Sequence, residues 1–359
     1  MRLLIICLFT ISYVGTSFAQ SEKTKGKKVK EMPDTNFIMT YPKFISLGIS
    51  TASPLMQILV DPVNDSYDKY KSNFKGNFSD LLGFTFSYRS IYIHYAFKTP
   101  FGPSEDSKKG RSASTGITLR VRKPRITLAA EYRRYEGYYD SNAYTYVQDS
   151  INNYYVRADM NYKNIGVNGI YNFSWRKFSY NAPLTFLDRQ LKSRIGFLIK
   201  GGANYTTIYS KDSTILSRPQ TENFNSFYGI TSIHTLLFKA GPGIGVNIVL
   251  WKRFYFSMNY FIMGNFIEYQ YNTQDKGNSI WYTNANIYTE TATGFGYNSK
   301  RLFAGISFNG DINVMRIKGA SIQTNFASVS ITVGYRFNAP RFFEKGWNKA
   351  ADKVQDITD

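Results

Sequence analysis

Ser328–Asn338 reads SVSITVGYRFN. Val329, Ile331, Val333, Tyr335 and Phe337 fall on one row, and Ser328, Ser330, Thr332, Gly334 and Arg336 on the other. Side chains on a strand alternate between its two faces, so this stretch predicts a strand with one oily and one wet face. What the oily face packs against, protein or lipid, decides the fold.

The pattern recurs along most of the chain. It predicts strands at 43–52, 80–89, 91–99, 113–122, 126–135, 154–162, 165–173, 177–186, 193–209, 235–250, 254–271, 299–309, 312–318 and 326–338. Leaving out 177–186 and 312–318 gives twelve strands in place of fourteen. Some neighbours are joined by very little: Tyr88–Ser90, Arg122–Arg125, Tyr162–Asn164 and Trp251–Arg253. Others are joined by long polar stretches at 54–79, 100–112, 137–153, 210–233 and 272–298. Alternating tight turns and long loops is the pattern of outer-membrane barrels, with the turns in the periplasm and the loops outside. A sandwich has no need of it. The expected fold is therefore an all-β, transmembrane antiparallel barrel of about 12–14 strands, with the oily rows on lipid and the polar rows inward.

Composition agrees with an exported chain. MRLLIICLFTISYVGTSFAQ carries a charge at Arg2, an apolar stretch from Leu3 to Val14 and the small-x-small site Ser17-Phe18-Ala19. That is a cleavable signal peptide, too short in its apolar part to span a bilayer. The one cysteine, Cys7, lies within it, so the remainder has no disulfide, thiol nucleophile or cysteine metal site. The expected organisation is signal peptide 1–19, basic lead-in 20–35, barrel 36–338 and periplasmic tail 339–359 with one short helix. Net charge is +19, or +18 once Arg2 is removed. Export disfavours nucleic acid, which leaves outer-membrane lipid and the phosphates of lipopolysaccharide as partners for a basic surface. The barrel-assembly machinery is the expected partner during insertion, with Phe337 as the terminal aromatic of the signal strand. Mean hydropathy is −0.32, as in a soluble protein, but a barrel shows lipid only its alternate residues.

Three stretches carry a family resemblance: Asp34–Ser50, Lys108–Tyr139 and Tyr171–Gly202. Their cues are Asp34-Thr35-x-Phe37-Ile38, Lys109-Gly110, Tyr135-x-Gly137-Tyr138-Tyr139, and Lys177-Phe178-Ser179-Tyr180 with the later Gln190-x-Lys192-Ser193. The chain resembles a Bacteroidetes family catalogued as domain of unknown function 4421. Phe37 stands where the family usually has Tyr. The resemblance implies a Gram-negative outer-membrane protein, and no reaction, ligand or site residue.

Candidate chemistry is sparse. The inward rows hold Arg89, Arg120, Arg122, Arg133 and Arg157 against Glu131 and Asp159. That excess fits either an anion-preferring, porin-like lumen or an interior filled with ion pairs. His94 falls on the inward row. His234 lies at a loop-to-strand junction on the outer side, and Ser232 shares its strand face. A Ser–His pair there would suit an acyl hydrolase acting on lipid or lipopolysaccharide, the alternative to a non-enzymatic barrel. Two histidines and no mature cysteine argue against a metal site, and no cofactor motif is present: Gly241-Pro-Gly-Ile-Gly245 lacks the Lys-Ser/Thr of a phosphate loop and reads as close packing within a strand. The aromatic, polar stretches Tyr135–Tyr146 and Ser279–Glu290 suggest a third reading, glycan recognition.

Overall fold

The computed structural model describes residues 32–62, 71–78, 81–99, 108–143, 154–211, 214–216, 224, 227–274 and 277–348. The proposed signal peptide and most of the basic lead-in lie outside these. In chain order the strands are β1 (Ile38–Thr40), β2 (Phe44–Pro62), β3 (Ser72–Lys75), β4 (Leu81–Tyr88), β5 (Ile91–Lys98), β6 (Ala113–Arg122), β7 (Ile126–Asp140) and β8 (Tyr155–Asn172). They continue with β9 (Asp188–Gln190), β10 (Arg194–Ser210), β11 (Ile230–Leu250), β12 (Phe254–Thr273), β13 (Gly277–Asn278), β14 (Tyr282–Asn298), β15 (Leu302–Ile317) and β16 (Ala320–Asn338). Residues 341–348 form a short helix.

Twelve of these strands form one ring. Each long strand pairs with its sequence neighbours, β11 pairs with both β10 and β12, and β16 meets β2 to close the circle. The fold is an outer-membrane type barrel, and closure leaves no unpaired edge to face lipid. The outer row of β16 shows which way the oily face points. Val329, Ile331, Val333, Tyr335 and Phe337 are each about half exposed, whereas Arg336 between them is fully buried. The oily row faces out. On β12 the same alternation holds from Phe254 to Phe266.

At one end the strands join through Arg89–Ser90, residues 123–125, 251–253 and 299–301. At the other, long connections dominate, and the exception is the two-residue turn Lys318–Gly319, whose φ values of 45° and 75° suit a tight hairpin. Twelve strands were legible, but not these twelve. Residues 162–164 do not turn: the two strands expected on either side are one, β8. The same is true of 299–309 and 312–318, which are one strand, β15. Within the stretch 272–298, expected as a loop, β14 is a wall strand. Residues 54–62 continue β2 beyond its expected end.

The extra strand length has a reason. At the long-loop end the inward row turns apolar: Met56, Ile58 and Val60 of β2 meet Phe74, Tyr138, Phe227 and Ile267 in a buried cluster. There the barrel is filled like a soluble protein, and the oily-outside rule inverts. This corrects the row assignment of Met160 and Tyr162, which point inward, while Arg157 is buried over the Phe74 ring.

The second filling element is at the short-turn end. β8 and β10 are direct neighbours in the ring, yet 21 residues, 173–193, separate them. Residues 177–186, expected as a strand because Phe178, Tyr180, Ala182, Leu184 and Phe186 alternate, instead fold back inside the ring. Both sides of this segment are buried, so its period of two sorts no residues between core and surface. Phe178 approaches the wall where Gly196 faces Gly245: a Cβ on either glycine would meet its ring at 2.2 or 2.4 Å. The GPGIG stretch is thus close packing within a strand.

Candidate functional site

Between the apolar cluster and the segment 173–193, hereafter the seal, lies a chamber of about 260 Å³. Its wall is mostly hydroxyl and amide, with seven charged groups. Lys200 of β10 and Lys239 of β11 share Glu290 of β14: Lys200 pairs with it directly, and the Lys239 ammonium stands 3.5 Å from its second oxygen. Arg133 of β7 bridges Glu131 at 2.8 Å and Asp311 of β15 at 3.7 Å. Arg120 of β6 is the seventh. Its Nε and Nη1 are buried without a hydrogen-bond partner, and it forms no ion pair among the described residues. Four cations against three carboxylates leave the wall one positive charge in excess.

His94 also lines the chamber, with Nε2 3.2 Å from the Ser50 hydroxyl. Tyr180 of the seal forms part of the floor, and burial pushes its hydroxyl above the ordinary tyrosine range, so it stays a neutral donor. No group of three or more His, Cys, Asp or Glu is arranged to hold a metal among the described residues.

Of the five arginines expected inward, Arg120 and Arg133 line the chamber. Arg122 points in but is engaged by the seal, 3.2 Å from Asp188. Arg89 is in the β4–β5 turn with a φ of 51° and stacks on Tyr88. Arg157 grips Asp159 at 3.0 Å and donates to the carbonyls of Thr214 and Ile215, both at 2.6 Å, which pins the segment 214–216. Glu131 is in the chamber and Asp159 is not. Lys200, Lys239, Glu290 and Asp311 were missed. Lys200 and Lys239 had a readable signal: Lys239 is the lone charge in β11 and Lys200 the lone charge in β10 beyond its first residue, Arg194, positions a lipid-spanning strand tolerates only inward.

The seal is tied to the wall all round. Asn181 donates to Thr127 at 2.8 Å, Asn247 to the Ser179 carbonyl at 2.9 Å and Tyr255 to the Pro183 carbonyl at 3.1 Å. Asn298 donates to the Asp188 carbonyl at 2.9 Å, and Phe186 stacks on Phe303 with centroids 4.6 Å apart. Arg336 donates to the carbonyls of Phe186 and Ser299, both at 2.6 Å, and to Asn298 Oδ1 at 2.9 Å. Asp34, Thr35 and Phe37 lead into β1, which begins at Ile38 and pairs with β9 of the seal.

His234 lies on the other face. Thr235, Leu237 and Lys239 line the chamber, so His234 shares the outward row with Ser232 and Leu236. Its Nε2 is 3.2 Å from the Ser232 hydroxyl and its Nδ1 3.1 Å from the Tyr205 hydroxyl. A bulge in the β11–β12 register falls at Thr231, beside Ser232. Of the two aromatic stretches, Tyr135 and Tyr138 belong to the buried cluster, and Tyr288 is buried beside the chamber. Ile280 and Trp281 are exposed at the tip before β14. Residues 144–146 lie outside those described.

Among solved structures, the chain is similar to the outer-membrane protease OmpT from Escherichia coli at 11% identity, over 83% of this chain and 98% of that one, with a TM-score of 0.36. It is similar to the translocator domain of the autotransporter NalP from Neisseria meningitidis at 10% identity, over 94% and 97%, with a TM-score of 0.32. It is similar to the toluene transporter TodX of Pseudomonas putida at 9% identity, over 82% and 90%, with a TM-score of 0.23. No curated protein matches it. The family model for a domain of unknown function, DUF4421, matches residues 32–337, which takes in the seal, the chamber and all twelve wall strands. The chain belongs to the DUF4421 family.

Proposed function

We propose that this protein is a non-conducting outer-membrane barrel that holds one small monovalent anion at Arg120. The observation that carries the reading is Arg120 itself: a half-buried arginine in the chamber wall whose Nε and Nη1 are buried, unpaired while every other charge there has a partner. A buried charge needs a partner or water, and a guanidinium fork fits a planar carboxylate best. Apolar filling above and the seal below support a closed chamber in preference to a pore. The basic excess that suggested an anion-selective channel, five arginines against two acids, shrinks to a margin of one charge. Its use is then to balance a single guest.

Two measurements test this. In planar bilayers the purified protein should give no steady conductance. With formate replacing chloride at constant ionic strength, the unfolding temperature should rise, since a ligand that binds only the folded state stabilises by about 2.7 kcal/mol at a hundred times its Kd. Arg120→Gln should abolish the rise. Steady open channels, or equal formate response in both proteins, would sink the proposal.

A second reading rests on Ser232, His234 and Tyr205. A hydroxyl 3.2 Å from an imidazole whose other nitrogen meets a hydroxyl is a nucleophile–base–orienter arrangement, and it lies on the lipid-facing row. Purified protein should then release fatty acid from phospholipid micelles, and His234→Ala should lower the rate at least about a hundredfold. Activity that survives this substitution would rule the reading out.

A further inference from the structure

The short-turn end of the ring is strongly and one-sidedly basic. Lys123 in the β6–β7 turn, Lys252 and Arg253 in the β11–β12 turn and Lys300 in the β14–β15 turn are exposed. So are Arg176, Lys177, Lys192 and Arg194 in and beside the seal. Within residues 33–337 the described carboxylates at this end are Asp34 and Asp188, and Asp188 is buried against Arg122. Like charges this dense repel one another and gain from an anionic partner.

Three of these cations are gathered at one point. Lys177, Lys192 and Arg194 stand 5.3, 5.1 and 4.5 Å from the centre of the Phe37 ring. None of the three has an ion-pair partner among the described residues. Their convergence is built in. The buried Gln190 amide donates to the carbonyls of Lys177 at 2.7 Å and of Lys192 at 3.1 Å, which holds the two backbones together. Phe37 is brought over them by the β1–β9 pairing.

The cradle lies at the edge of the apolar wall. Arg194 is the first residue of β10, and Ile195, Phe197 and Ile199, all exposed, follow it directly. Trp251, 83% exposed, marks the same level two strand-ends along. An anion held here with its remaining bulk along Ile195 and Phe197 has a charged head and an apolar tail. We propose that Lys177, Lys192 and Arg194 around Phe37 bind the phosphate of an acidic phospholipid in the leaflet facing the short turns. The other turn cations form a weaker ring for neighbouring headgroups.

Native mass spectrometry of the full-length protein, released from micelles containing phosphatidylglycerol and phosphatidylcholine, tests this. Phosphatidylglycerol adducts should dominate. The combined change Lys177→Gln, Lys192→Gln and Arg194→Gln should weaken their binding at least roughly tenfold, given what each basic residue contributes near a lipid surface. Phosphatidylcholine adducts should not change. Heat-modifiable gel mobility reports folding of the variant. If the triple change fails to fold, Arg194→Gln alone should still cut the phosphatidylglycerol preference several-fold. Lys163→Gln, on the neighbouring strand β8 opposite Thr207 and far along the wall from Arg194, should leave it intact. Unchanged preference in the folded triple variant overturns the site. Full displacement of phosphatidylglycerol by millimolar inorganic phosphate overturns the lipid assignment.

Discussion

Excising residues 175–190 and closing the gap with a short glycine–serine linker should open the chamber to reagents from the short-turn end. A cysteine placed at Thr118 on the chamber wall reports it, in a background where Cys7, the sole cysteine of the sequence, is replaced. In the intact barrel a small charged thiol reagent should react at least about a hundredfold more slowly than in the excised form, which corresponds to an opening cost of about 2.7 kcal/mol. The ring should survive the excision, because β8 and β10 pair directly from Asn172 and Leu198 onward and need no long connection between them. Equal labelling of intact and excised proteins would mean that the seal does not close the chamber.

The second large effect is at Arg336. Its side chain is fully buried, donates to three acceptors and lies 4.0 Å from the centre of the Tyr41 ring. Arg336→Ala strands the Phe186 carbonyl and Asn298 Oδ1, leaves the Ser299 carbonyl with the Tyr41 hydroxyl alone, and removes a charge-assisted donor from each. Hydrogen bonds to charged groups contribute about 1.5–3 kcal/mol apiece and are not fully additive, so a loss of roughly 3–5 kcal/mol is expected. Arg336→Lys should recover only part of this, since one ammonium cannot reproduce the planar fork that reaches carbonyls on two different segments. The urea midpoint of the detergent-folded protein reads the effect. A midpoint unchanged by Arg336→Ala would show that the seal is held from elsewhere.

The barrel was legible because lipid enforces alternation. β16, β5 and β12 could be read from their oily rows, and the turns at Arg89–Ser90 and 251–253 from the breaks between them. β14 escaped because its outward row before Phe295 is Thr283, Ala285, Thr289, Thr291 and Thr293 around Ile287: small and half-polar, it shows little contrast with the inward row. The stretch 177–186 misled in the opposite way, with strand periodicity but no surface to sort it against. Arg157 was placed in an open lumen, but at the long-loop end the interior is filled, and Arg157 is buried there over the Phe74 ring and on the carbonyls of Thr214 and Ile215. The chamber pairs were half visible. Glu131 and Arg133 lie two residues apart on one strand, whereas Lys200 meets Glu290 across 90 positions of chain, which no local pattern records.

A ring of strands is ordinarily like a hoop, strong along its circumference and weak at the seam where its first and last staves meet. Here the seam is β2 against β16. The seal changes the mechanics, because it reaches β7 through Asn181, β11 through Asn247, β12 through Tyr255, β14 through Asn298, β15 through Phe303 and β16 through Arg336. These contacts are spokes, and the segment between β8 and β10 is their hub. A hoop can fail by peeling one stave at a time from the seam, but a spoked wheel cannot shed β16 without pulling on the hub and so loosening staves on the far side. Loss of the barrel should therefore come as one cooperative event, with no long-lived state in which the seam alone has opened.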